Sequence, residues 1–89
     1  PNAYIGETGG EPTLRPTFIW DVVTGATSYQ IQISKRSDFS SLLYDKTLTG
    51  TSWTPKSDLP SGRVIYWRVR AINAYGKSAW TYGASYTTP

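Results

Sequence analysis

Two stretches of this chain, SYQIQIS at 28–34 and IYWRVRA at 65–71, alternate between apolar and polar residues. A side-chain period of two belongs to a β-strand with one buried face. A helix, with period 3.6, would scatter the same residues around its axis. In the first stretch Tyr29, Ile31 and Ile33 face one way, and Gln30, Gln32 and Ser34 the other. In the second, Ile65, Trp67, Val69 and Ala71 share one face, and Tyr66, Arg68 and Arg70 share the opposite one. A strand that sorts its residues this way needs a second layer to cover its apolar side, so these two segments set the terms for the rest of the chain.

The rest supplies more short strands and the turns between them. TFIWDVV (17–23) reads as a strand with Phe18, Trp20 and Val22 on one face, ended by the turn TGAT. KRSDFSS is a polar loop carrying Phe39, LLYDKTL a short strand, TG a turn, and TSWTP a strand closed by Pro55. KSDLPSGR is a polar connection with one apolar residue, Leu59, and NAYGK is a turn in which Gly76 can take positive φ. The last strand is expected over 78–87, with Trp80, Tyr82, Ala84 and Tyr86 at spacing two. Residues 1–14, rich in Gly, Pro and Thr, read as a linker with one short edge strand near Tyr4 and Ile5, and 15–89 as the domain. About seven strands and no helix within 89 residues predict an all-β fold, a two-sheet immunoglobulin-like β-sandwich. The inward set is Trp20, Tyr29, Ile31, Ile33, Ile65, Trp67, Val69 and Tyr86; four Trp, seven Tyr and two Phe can fill much of a small core.

Composition narrows the chemistry. There is no Cys, His or Met, so no disulfide is expected, and zinc, haem and iron–sulfur sites lose their usual ligands. No cofactor or metal is expected. A Ser–His–Asp triad is impossible, and the usual general base and thiolate nucleophile are missing. The acids Glu7, Glu11, Asp21, Asp38, Asp45 and Asp58 are spread over different loops and strands without a paired motif, and GETGG is neither a P-loop nor a dinucleotide fingerprint. Net charge is +3, but the nine Lys and Arg are scattered, and only Lys35 and Arg36 are adjacent. Nucleic-acid binding calls for a stripe or patch, so no nucleic-acid partner is expected. No apolar run is long enough to span a membrane. The chain starts with Pro1 rather than Met and ends at Pro89, which reads as a segment of a longer protein.

These residues resemble a fibronectin type III domain of the bacterial extracellular kind. Trp20 matches the family's strand-B tryptophan, Tyr29 the tyrosine opening strand C, and Leu59 the leucine of the E–F connection. Trp67, Arg68, Val69, Ala71 and Asn73 match the end of strand F, and Gly76 and Ser78 the Gly–x–Ser that follows. The match covers residues 15–88, nearly the whole chain. One position departs: the family's tyrosine-corner residue falls on Ile65, so its hydroxyl-to-backbone bond is absent or is supplied by Tyr66. The resemblance implies fibronectin type III topology and a non-catalytic module, secreted or at the cell surface, monomeric and not inserted in the membrane. Its implied role is a spacer or scaffold that positions neighbouring domains. The alternative is a carbohydrate- or protein-binding adhesion module.

For that alternative the candidates are Tyr66, Arg68 and Arg70, on the outer face of the sheet that the family builds from strands C, F and G, with Tyr75 in the F–G turn. A guanidinium beside an aromatic ring can stack on a sugar or grip a carboxylate. The plainer reading of the row is a solvated polar surface with cross-strand cation–π contacts, in which Arg68→Ala costs about 0.5 kcal/mol or less. Tyr75 reads as a loop anchor. The integrin-binding Arg-Gly-Asp tripeptide does not occur.

Overall fold

A computed structural model describes residues 3–6 and 13–89. The two alternating stretches are its central strands. We number the strands in chain order: β3 is Ser28–Ser34 and β6 is Val64–Asn73. They run antiparallel in unbroken register from Ser28 opposite Ile72 to Ser34 opposite Tyr66. From Tyr29 to Ser34 the register pairs polar with polar and apolar with apolar, so over that length each face of the pair is chemically uniform. β4 (Leu42–Leu48) adds to the free side of β3, with a bulge between Ile33 and Ser34. The far side of β6 takes three two-residue strands, β7 (Gly76–Lys77), β8 (Thr81–Tyr82) and β9 (Tyr86–Thr87). The second sheet has the order β1–β2–β5, from Ala3–Gly6, Thr17–Trp20 and Ser52–Trp53. Among the described residues all pairings are antiparallel.

The core lies between the sheets. Phe18 and Trp20 from β2 meet Tyr29, Ile31, Ile33, Ile65, Trp67 and Val69 from the larger sheet, and Leu59 closes one end. The Trp67 ring centroid lies 5.0 Å from that of Phe18 and 6.5 Å from that of Trp20, at tilted angles. Tilted ring pairs set positive edges against negative faces and add about 0.5–1.5 kcal/mol each beyond area burial. All eight residues expected inward are buried. Tyr44 and Trp53, with ring centroids 4.9 Å apart, close the side between β4 and β5.

Three local expectations are corrected. The strand expected over 17–23 ends at Trp20, and Val22 is 78% exposed. Val23 turns inward instead: its N–H donates to the Tyr29 hydroxyl at 2.7 Å and its carbonyl accepts from Ala26 at 3.0 Å. That tight turn takes the chain out of the pleat, so alternation no longer applies. Next, the last strand is not continuous. Lys77 pairs with Ile72, Thr81 with Val69 and Tyr86 with Ile65, so the register slips by one residue between each pair of segments. Each slip is a bulge, and a one-residue slip reverses the faces. Tyr82, opposite Arg68, points outward, while Tyr86, opposite Ile65, is buried.

The third correction concerns the tyrosine corner. Ile65 is fully buried, and among the described residues the Tyr66 hydroxyl has no hydrogen-bond partner. A hydroxyl-to-backbone tie exists all the same, made by Tyr86 on β9. Its O–H donates to the Thr13 carbonyl at 2.7 Å and accepts from the Thr13 N–H at 2.9 Å. Tyr86 faces Ile65 across the pair, so the neighbouring strand supplies the phenol that strand F lacks. The edge strand expected at Tyr4 and Ile5 is β1, paired with β2. The linker expected over 1–14 falls, at 1–2 and 7–12, outside the described residues, as do Glu7 and Glu11.

Candidate functional site

On the outer face of the larger sheet, register aligns the polar residues into rows. Asp45 on β4 stands beside Gln32 on β3, which is opposite Arg68 on β6, which is opposite Tyr82 on β8. Gln30 is opposite Arg70. The Nε2 atoms of Gln30 and Gln32 donate to the two carboxylate oxygens of Asp45, at 2.8 and 3.1 Å. Their carbonyl oxygens accept in turn from the arginines. Arg68 Nε and Nη2 both reach Gln32 Oε1, at 2.9 and 2.6 Å, and Arg70 Nε reaches Gln30 Oε1 at 2.8 Å. The remaining Arg68 nitrogen, Nη1, donates to the Tyr82 hydroxyl at 3.2 Å.

Aromatic rings stack on this network. The Arg68 guanidinium carbon is 4.3 Å from the ring centroids of both Phe39 and Trp80, and that of Arg70 is 4.2 Å from Trp80. Rings and cations thus alternate in the order Phe39, Arg68, Trp80, Arg70. The row expected to be solvated is covered: Arg68 is half-buried, Gln32 is 8% exposed and Ser34 is fully buried. Ser34 is satisfied, its hydroxyl donating to the Ser41 carbonyl at 2.8 Å and accepting from the Arg36 N–H at 3.0 Å. Phe39 reaches the stack from a loop with φ of 58°, a conformation that bulky residues rarely adopt. Beside it, Asp38 accepts the Ser40 N–H at 3.0 Å. The Ser40 hydroxyl and N–H hold the Asp38 carboxyl below its ordinary pKa.

The arginines expected to act together therefore differ. All three Arg68 nitrogens are engaged. Arg70 has only Nε engaged, and its two terminal nitrogens have no partner among the described residues. Tyr66 lies further along the strand, outside the stack. Tyr75 is not an anchor: it is 98% exposed, and its N–H is held by Asn73 Oδ1 at 2.8 Å. Beside it a shallow cleft of about 320 Å3 separates the 23–26 turn from the 73–78 turn, with Val23, Ala26, Ala71 and Ile72 in its wall and Asn73 and Lys77 at its rim. Sequence reasoning missed Phe39 and Trp80. A strand-F arginine two residues from another, with an edge-strand tryptophan nearby, was the available signal, but the bulge hid which face Trp80 takes.

With three ring contacts and three hydrogen bonds, Arg68→Ala is expected to cost about 2 kcal/mol rather than 0.5. Urea denaturation reads this directly. A variant within about 0.5 kcal/mol of wild type would show that the stack contributes no net stability.

Among the described residues the acids do not gather. Asp58 pairs with Arg15 at 2.8 Å on the surface, Asp45 holds the two glutamines, and Asp38 serves its own turn. Among the described residues no three His, Cys, Asp or Glu side chains come together as a metal site would need, and no helix is long and apolar enough to cross a membrane.

No protein-family model matches this chain, and no curated protein matches it. Solved structures do. The chain is similar to the sixth fibronectin type III domain of human fibronectin type III domain containing protein 3, at TM-score 0.72 and 19% identity, covering 99% of this chain and 81% of that one. It is also similar to the structure described as "FN3tt mut", at TM-score 0.75 and 16% identity, covering 96% of this chain and 88% of that one. At such identities the likeness is one of fold: the chain has the fibronectin type III fold, an immunoglobulin-like β-sandwich.

Proposed function

We propose that this domain is a non-catalytic module of a larger extracellular protein, a spacer that holds neighbouring domains at a fixed separation and orientation. The observation that supports this most directly is the stitching of residues 86–89 to the β1–β2 and β5–β6 connections. The Tyr86 hydroxyl binds both backbone groups of Thr13. The Thr88 hydroxyl donates to the Pro60 carbonyl at 2.6 Å and accepts from the Arg63 N–H at 3.0 Å, and the Gly62 N–H donates to the Pro89 carbonyl at 2.9 Å. A sandwich tied this way transmits orientation from one end to the other, because little slack remains between the last strand and the domain body. Asp38, Asp45 and Asp58 stand apart and bond to different partners, which supports a role without acid–base chemistry.

The expected result is that the isolated domain turns over no polysaccharide, ester or peptide substrate. Turnover abolished by a single substitution would overturn the reading. In the full-length protein, replacing this domain with an unrelated rigid sandwich of the same span should preserve the neighbours' joint activity, and a flexible Gly/Ser segment should not.

A further inference from the structure

We propose that the corner formed by Arg70, Tyr75, Lys77 and Trp80 binds a carboxylated glycan, a chain of uronic acid sugars. The proposal is independent of the spacer role, since one domain can hold its neighbours and a glycan.

Three observations converge there. The first is excess positive charge. Arg68, Arg70 and Lys77 stand on the outer face, Lys77 opposite Ile72 on the same side as Arg70. The acid on this face, Asp45, already spends both oxygens on the glutamines. Among the described residues the only salt bridge is Arg15–Asp58, which involves neither Arg70 nor Lys77. The second is a prepared fork. The bond to Gln30 and the stack on Trp80 fix the plane of the Arg70 guanidinium while leaving its two terminal nitrogens without a partner among the described residues. That pair of donors matches the two oxygens of a carboxylate, and fixing it in advance removes part of the entropy cost of binding. The third is an unpacked ring. Tyr75 is 98% exposed beside a cleft of about 320 Å3. A pyranose can lay its C–H face on that ring while its carboxylate reaches Lys77, which also lines the cleft, and a further uronate of the chain extends along the outer face toward Arg70.

A sugar suits the corner better than a peptide does. β7 is two residues long and is followed by a register slip, so it offers an incoming strand almost no ladder. The cleft is shallow and at the small end of ligand sites, as a short sugar segment needs.

The test is an NMR titration of the isotope-labelled domain with tetragalacturonate, with maltotetraose as neutral control. We expect saturable shifts confined to the 70–80 region, a Kd on the order of 1 mM, weakening with added salt, and no response to maltotetraose. Lys77 and Tyr75 are exposed, so Lys77→Ala and Tyr75→Ala should keep the fold, and each should weaken binding about fivefold or more. Arg70→Lys keeps the charge but loses the fork and should also weaken it. The Lys35→Ala, Arg36→Ala double variant, which changes basic residues elsewhere, should bind as wild type does. No saturable shift up to about 10 mM would overturn the proposal. So would equal loss in the Lys35, Arg36 control, which would mean diffuse charge, or equal affinity for tetraglutamate, which would mean that the corner reads acid and not sugar.

Discussion

Replacing Trp67 with alanine is expected to lower the unfolding free energy by about 3–5 kcal/mol. The indole is 1% exposed and is the bridge between the layers: it projects from β6 and packs on Phe18 and Trp20 of the opposite sheet. Truncation removes those contacts and leaves a cavity that neighbours at native packing density fill only in part. It also strands the Ala84 carbonyl, which accepts from Trp67 Nε1 at 3.0 Å. A domain of this size has a total stability of about 5–15 kcal/mol, so the variant stands near the limit of folding at 25 °C. Denaturant melts decide the matter. A midpoint close to wild type would mean that the ring is not core and that the β3–β6 register is wrong.

The two central strands were legible because chemistry and register agree along them. Tyr29, Ile31 and Ile33 could only face the same side as Ile65, Trp67 and Val69 if both strands shared a covered face. Alternation stops being informative where the backbone leaves the pleat. Val22 and Val23 exchange places because a turn, not a strand, sets their direction. Tyr82 and Tyr86 take opposite faces because of a bulge that neither residue's own chemistry reveals. The candidate site was legible by halves for the same reason. Tyr66, Arg68 and Arg70 could be placed on the outer face from strand β6 alone. Their stacking partners could not, since Phe39 comes from a loop with positive φ and Trp80 from an edge whose register slips on either side. Without those partners Arg68 looked solvated and equivalent to Arg70. With them, Arg68 is saturated and Arg70 keeps two donors.

That slipping edge also explains why Gly83 should not tolerate a side chain. Gly83→Ala is expected to cost about 2–4 kcal/mol. A Cβ built at this position falls within the van der Waals envelope of the Trp67 indole, against Cε2, Cζ2 and Nε1. Its φ is not in the positive range, so the demand is for space and not for glycine's backbone freedom. Two escapes exist, and both are costly. The indole can rotate away, losing its packing on Phe18 and Trp20. Alternatively, the 83–85 bulge can lift, breaking the Gly83 N–H bond to the Trp67 carbonyl at 3.1 Å and the Trp67 Nε1 bond to Ala84. A double-mutant cycle separates this cause from a general weakness of the edge. Trp67→Leu removes the ring atoms that the new methyl would strike, Cε2, Cζ2 and Nε1. In that background Gly83→Ala should cost under about 1 kcal/mol, giving a coupling of about 2 kcal/mol between the two sites. If the alanine costs as much beside leucine as beside tryptophan, the indole is not what excludes it. Glycine at 83 would then serve the bulge itself, and the close seating of Trp67 under the last strand would have to be abandoned.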